Sequence, residues 1–209
     1  MRISTTGEIL LTAQPELIEQ PFSINREEKE SLNGIKSFVL WFTGLSGAGK
    51  TTIARLLEEK LYKRKIRTAI LDGDNTRLGI NKDLDFSTEG RKENIRRVAE
   101  ICKLMNDAGV IVIASFISPF EADREMAKEI IGQRNFIEVF IDASLDTCIE
   151  RDVKGLYEKA LIGEINDFTG ITSPYEPPMF PDLHIKTDTQ LPESSVDVIL
   201  KWLFMKGKV

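Results

Sequence analysis

The 209-residue sequence has a single histidine, two cysteines and no apolar run long enough to cross a bilayer. With only His184 available, a multi-histidine metal centre is excluded. His184 lies in Leu183-His184-Ile185-Lys186-Thr187, which reads as a strand, and a structural role is favoured for it over that of a base. Cys102 and Cys148 stand far apart in segments that read as helices, so they are expected as buried free thiols. The longest apolar stretch, Val110 to Ile117, is far too short for a membrane span, and no basic region followed by an apolar core opens the sequence; a cytoplasmic location is the expectation. Excess positive charge is also lacking. A net charge of -5 argues against general nucleic-acid affinity, so an anionic ligand must be held by locally placed cations and is expected to be small.

What is there centres on Gly44-Leu45-Ser46-Gly47-Ala48-Gly49-Lys50-Thr51, which fits G-x-x-x-x-G-K-[ST] without a mismatch. Upstream, Phe38-Val39-Leu40-Trp41-Phe42 is a continuous apolar run of strand length; downstream, Ile53, Leu56, Leu57 and Leu61 recur at helical spacing. Glycines let the backbone N–H groups wrap a polyphosphate closely, and the helix starting near Lys50 adds its positive end. Lys50 reaches the β- and γ-phosphates in this reading, and the Thr51 hydroxyl ligates Mg²⁺.

Around this loop, apolar runs at Thr68–Leu71, Val110–Phe116, Phe136–Ile141 and Leu183–Thr187 alternate with helical patterns, the longest of which starts near Ser87 and ends before Gly109. The alternation predicts an α/β fold: a central parallel sheet with helices on both faces. Arg26-Glu27-Glu28-Lys29-Glu30 reads as a short solvated helix, and residues 1–23 as an extension of unassigned role before a domain at 24–209. From Lys154 to Pro181, repeated glycine and proline with few apolar runs predict a lid or binding loop.

Ligands of open parallel sheets sit beyond the carboxyl ends of the strands. There the sequence offers Asp72-Gly73-Asp74-Asn75 and Arg77: one carboxylate suits a proton acceptor or a Mg²⁺ contact through water, and the arginine an anionic substrate. Phe86, Arg91 and Asn94 follow, the last two on one helix face. Ser115-Phe116-Ile117-Ser118-Pro119 brings a hydroxyl to the same rim. The carboxylates of a water-activating ATPase are missing after the third strand, and Asn81-Lys82-Asp83-Leu84 lacks the last residue of a guanine-reading motif. A phosphate loop, a carboxylate-arginine site and a lid together predict a kinase for a small hydroxylated anion.

These residues resemble the adenylyl-sulfate (APS) kinases over roughly Ile24 to Thr187. The resemblance rests on Leu40-Trp41-Phe42-Thr43-Gly44-Leu45-Ser46-Gly47, Asp72-Gly73-Asp74-Asn75, Asp83-Leu84-Asp85-Phe86-Ser87, Glu93-Asn94-Ile95-Arg96-Arg97 and Phe116-Ile117-Ser118-Pro119. Most diagnostic are Arg151-Asp152-Val153-Lys154-Gly155-Leu156-Tyr157 and Phe168-Thr169-Gly170-Ile171. It implies a P-loop kinase fold and transfer of phosphate from ATP to the ribose 3′-hydroxyl of APS, with Mg²⁺ and as a homodimer. It implies ATP contacts from Gly44 through Thr52, with Lys50 in the chemistry. Asp74 resembles the base or metal-orienting group, and Arg77, Arg91 and Asn94 resemble the groups that hold the sulfate-phosphate portion. Phe86 and Phe168 resemble the faces stacking the substrate adenine, with Ile117 and Lys154 completing the pocket. Ser118 matches the serine marked in the family as a phosphoenzyme; direct in-line transfer needs no such intermediate, and Ser118 is read as a binding residue.

Gly90 stands where an acidic residue is usual, Glu121 where a basic one is common, and Leu161 where the lid usually has arginine. The alternatives are another small-molecule P-loop kinase, which would lack the paired lid motifs, and a catalytically silent nucleotide-binding regulator, which would lose the acceptor-site groups.

Overall fold

Strand-length apolar runs separated by amphipathic helices produce a five-stranded, wholly parallel sheet in the order β2-β3-β1-β4-β5. The strands are β1 (Val39–Thr43), β2 (Thr68–Asp72), β3 (Ile111–Ser115), β4 (Phe136–Asp142) and β5 (Leu183–Lys186). This is a computed structural model that describes Gln20 and residues 22–209. Most of the expected N-terminal extension, residues 1–19 and 21, therefore lies outside the described residues.

β1 is fully buried because it is central and covered on both sides. Its even-numbered residues Leu40 and Phe42, with Phe38 just before the strand, join one cluster with Ile53, Leu57 and Leu61 of α2 (Lys50–Lys63) and Val196, Ile199 and Leu203 of α8 (Pro192–Met205). Its odd-numbered residues Val39 and Trp41 join a second cluster with Ile95, Val98, Ala99 and Cys102 of α4 (Thr88–Asp107) and Ala127 and Ile131 of α5 (Glu121–Ile131). The period-two alternation of a strand thus feeds two cores. Ser87 caps α4, its hydroxyl accepting from Gly90 N. Cys102 and Cys148 are buried free thiols. His184 lies on β5, with Nε2 2.8 Å from Asp142 Oδ2 and its ring stacked on Phe140.

The first helix, α1 (Arg26–Asn33), is the expected solvated one, with no buried residue, and it also acts as a strut. Glu30 accepts from Ser37 N and Oγ and from Arg26 Nε, Arg26 also donates to the Ser37 carbonyl, and Asn33 donates to Gly109 O at 3.0 Å. Arg26 and Glu30 thereby fix the entry to β1. Asp72-Gly73-Asp74 likewise opens a helix, α3 (Gly73–Leu78), because the Asp72 carboxylate accepts from Asp74 N.

A buried ion pair closes the second core. Arg124 is 2% exposed; its Nε donates to Glu138 Oε1 at 2.9 Å and its Nη1 to Ser118 O at 3.0 Å. Removing one partner leaves the other charge buried alone. Arg124→Ala is expected to lower the unfolding free energy by about 3–5 kcal/mol, and Glu138→Gln, which keeps an acceptor, by distinctly less. Urea denaturation of both variants checks this; equal losses would mean that charge pairing is not what stabilises the site.

Candidate active site

The glycine loop leaves β1 next to β4, and the approach is so close that a Cβ on Gly44 would lie 2.2 Å from the Ile141 carbonyl oxygen. Gly44 itself sits at φ +150°, so both space and backbone demand glycine. Three successive loop carbonyls are then held from outside: Ser46 O by the Tyr157 hydroxyl at 2.9 Å, Gly47 O by Arg151 Nη1 at 3.2 Å and Ala48 O by the Thr187 hydroxyl at 2.8 Å. With the carbonyls turned out, the N–H groups of Gly47 and Gly49 on the opposite sides of these peptides face the space for phosphate, while the Ala48 N–H donates to Leu45 O at 3.2 Å.

Lys50 begins α2 and is buried, its Nζ donating to Gly44 O at 2.9 Å and Leu45 O at 2.7 Å. Burial pushes its ammonium down to about 8; Lys154 acts in the same direction, while Cys148, Asp72 and Asp74 oppose it. Thr51 donates to Asp72 Oδ2 at 2.7 Å and has Ser115 Oγ 3.5 Å away, so a hydroxyl and a carboxylate converge beside the loop. Thr52 is exposed on α2. Asp74, next along from Asp72, is solvent-facing and paired with Lys154 from the start of the lid segment.

Of the expected acceptor residues, Arg77, Phe86 and Arg91 lie together. Arg77 donates through Nη1 to Leu84 O at 3.2 Å and Asp85 O at 2.9 Å, and its guanidinium lies 4.2 Å over the ring of exposed Phe86. Arg91 reaches from α4 to the lid, donating to Thr169 Oγ1 at 2.7 Å and to the Asp167 carbonyl, and also to Phe86 O at 2.8 Å. Partial burial lowers both guanidinium pKa values, yet as guanidinium groups both remain charged. Ile117 contributes its carbonyl, which accepts from Thr43 Oγ1 at 2.8 Å.

Four of the expected residues are engaged within the protein itself. Ser118 does not present its hydroxyl at the phosphates: the residue is 2% exposed, at φ +39°, and its Oγ accepts from Trp41 Nε1 at 3.1 Å. The rim hydroxyl near Thr51 belongs to Ser115. Asn94 is buried on α4, its Oδ1 accepting from Asn81 Nδ2 at 2.9 Å. Lys154 pairs with Asp74. Phe168 is buried, its ring edge-on to Tyr157 at 4.9 Å, because the lid segment is folded down onto the loop. Sequence reasoning also missed the roles of Asp72, Arg151 and Tyr157; all three stood in motifs already singled out, but nothing in their spacing says what they touch.

The unusual Gly90 has a local reason. A Cβ there would lie 2.2 Å from Asp85 Oδ1 and 2.7 Å from Asp85 O, and that carboxylate is fixed by accepting from Ser87 N and Oγ. Leu161 is exposed at the end of the lid helix α7 (Leu156–Leu161). Glu121 opens α5, its N–H donating to Glu176 at 2.7 Å.

Comparison with known proteins gives a consistent picture. The family described as Adenylylsulphate kinase matches residues 36–186. An adenylyl-sulfate kinase from Thermodesulfovibrio yellowstonii is 53% identical over 186 residues, covering 89% of this chain and 93% of that protein. Among solved structures, the Mycobacterium tuberculosis APS kinase in complex with AMPPNP and APS is 42% identical with a TM-score of 0.78, covering 81% of this chain and 99% of that one. A hexameric APS kinase from Thiobacillus denitrificans is 28% identical with a TM-score of 0.64, covering 84% of this chain and 30% of that one.

Two outcomes follow from this geometry. A bound polyphosphate favours the Lys50 ammonium, so above about pH 8 AMPPNP binding should take up a proton and weaken by up to about tenfold per pH unit; calorimetry in two buffers of different ionisation heat reads both. Without ligand the sign reverses. The folded-state value lies below the ordinary lysine value of 10.5, so this group adds stability as pH rises from about 8 towards that value, where only the unfolded chain still holds the proton. For Ser118→Ala, turnover should fall by less than about tenfold, against the far larger loss that follows removal of a covalent nucleophile; steady-state kinetics decides.

Proposed function

The chain belongs to the adenylyl-sulfate kinase family and is an enzyme that phosphorylates APS with ATP, giving 3′-phosphoadenylyl sulfate, and we propose that its chemistry turns on the Asp72-Gly73-Asp74 corner. The observation that carries this reading is the division of labour there. Asp72 binds Thr51 beside the phosphate loop, while Asp74 faces solvent two residues on, paired with the exposed ammonium of Lys154.

The donor set fits Mg²⁺: a Thr51 hydroxyl and an Asp72 carboxylate are hard oxygen ligands, too few for an all-protein cage and suited to an ion carried largely by phosphates. When bound, the ion supplies charge neutralisation on the transferring group. The chain's own residues do the rest. Loop N–H groups and Lys50 hold the ATP phosphates. Asp74, released from Lys154, accepts the proton of the ribose 3′-hydroxyl as that oxygen attacks the γ-phosphorus in line, and ADP leaves with the bridging electron pair. Arg77 and Arg91 hold the sulfate-phosphate portion, Phe86 and Phe168 stack its adenine once Arg77 and the lid rearrange, and Ile117 borders the base. Asn94 supports this site from below by fixing Asn81.

The described residues contain no helix long and apolar enough to cross a membrane, in keeping with a cytoplasmic enzyme. Self-association, as a homodimer, is part of the same proposal, and the hexameric relative supports some assembly of this kind.

The test is ADP release from ATP and Mg²⁺ with APS as acceptor, against gluconate and AMP. Release with APS alone, with phosphate on the 3′ position, is the expected result. Asp74→Asn should keep AMPPNP affinity while turnover drops by roughly a hundredfold or more. Near-normal turnover in that variant would remove Asp74 from the role of base.

A further inference from the structure

The two lid motifs that stand out in the sequence, Lys154-Gly155-Leu156-Tyr157 and Phe168-Thr169-Gly170-Ile171, touch each other through one pair of rings, and one of those rings also touches the phosphate loop. Tyr157 is 1% exposed; its hydroxyl donates to Ser46 O at 2.9 Å and its ring meets Phe168 edge-on at 4.9 Å and 77°. Both ends of this link are stiff. On one side Asp152 fixes the first turn of α7, its carboxylate accepting from the N–H groups of Leu156, Tyr157 and Glu158 at 2.8, 3.0 and 3.1 Å. On the other, Phe168 heads a closed turn: its carbonyl accepts from the N–H groups of Ile171, Thr172 and Ser173, and its own N–H donates to Thr172 Oγ1 at 2.9 Å. A second contact runs beside the first, since a Cβ on Gly170 would lie only 3.2 Å from Leu45 Cδ2.

We propose that Tyr157 is a positioning residue through which occupation of the phosphate loop sets the place of Phe168, so that ATP and acceptor bind interdependently. The inference rests on the reading of Phe168 as an acceptor-stacking face. When phosphates draw the loop N–H groups inward, the Ser46 peptide must adjust, and its carbonyl is the acceptor that holds the Tyr157 hydroxyl. A rigid turn on the far side of the tyrosine ring cannot absorb that displacement internally, so it moves as a unit. Arg91, which donates to Thr169 Oγ1 from α4, gives the turn its pivot on the acceptor side. Coupling of this kind is a free energy shared by two ligands and must be the same measured from either one.

The experiment measures APS affinity by calorimetry with and without AMPPNP and Mg²⁺, and AMPPNP affinity with and without APS. Wild-type protein should give one coupling factor from both directions, in the range of about 5–150-fold typical of coupled sites. Tyr157→Phe, which deletes only the hydroxyl, should bring that factor close to one while melting temperature stays near that of the wild type; Tyr157→Leu, lacking both contacts, should do the same even if it is less stable. A purely structural tyrosine would lower stability and leave the ratio unmoved. A wild-type factor of one, or the wild-type factor retained in both variants, overturns the proposal. Phe168→Ala separates the two readings: if it leaves APS affinity unchanged, the stacking assignment fails, whereas weakened APS binding beside an unaltered Tyr157→Phe factor sinks the coupling alone.

Discussion

Everything at the catalytic edge depends on how closely the chain passes Ile141 as it leaves β1. The 2.2 Å that a Gly44 Cβ would leave to the Ile141 carbonyl fixes the loop against β4, and α2 can then start under it with Lys50 inside. The hydrogen bonds from Tyr157, Arg151 and Thr187 to successive loop carbonyls come from segments more than a hundred residues later, so the loop is shaped by the whole fold and not only by its glycines. A buried lysine leaning on two loop carbonyls supplies positive potential that a polyphosphate can use.

The opposite wall is built around Ser118. Its hydroxyl accepts from Trp41, its carbonyl from Arg124, and Thr43 approaches the same carbonyl at 3.4 Å while meeting Tyr175 Oη at 3.0 Å. A residue at positive φ surrounded by so many directed contacts is a fixed corner. It sets where the neighbouring Ile117 stands, whose carbonyl in turn accepts from Thr43 Oγ1. In this structure the serine hydroxyl is part of the scaffold.

The sheet was legible because its signal is local and strong. Buried parallel strands must be continuously apolar, and all five runs form strands within a residue or two of the expected ends. Ser87 as a cap and the glycine loop were readable for the same reason: each acts on neighbours within a few positions. What failed was long-range. That Asp74 meets Lys154 across 80 positions, or that Ser118 turns towards Trp41 across 77, depends on how layers pack, and no spacing along the chain encodes it. The short solvated helix α1 was legible in its charges, but its tie to β1 was not. Glu30 and Arg26 pattern as surface residues, and only the return of Ser37 beside them gives them partners.

Asp85 and Gly90 form a small clasp at the head of α4, with the carboxylate occupying the space a side chain at position 90 would need. The two positions therefore cannot drift independently. An acidic side chain placed at 90 would first have to unfasten Asp85 from Ser87 and reopen the loop that carries Phe86. The head of α4 and the turn before it are one interlocked part, so room for a side chain at 90 comes only with a change at 85 as well.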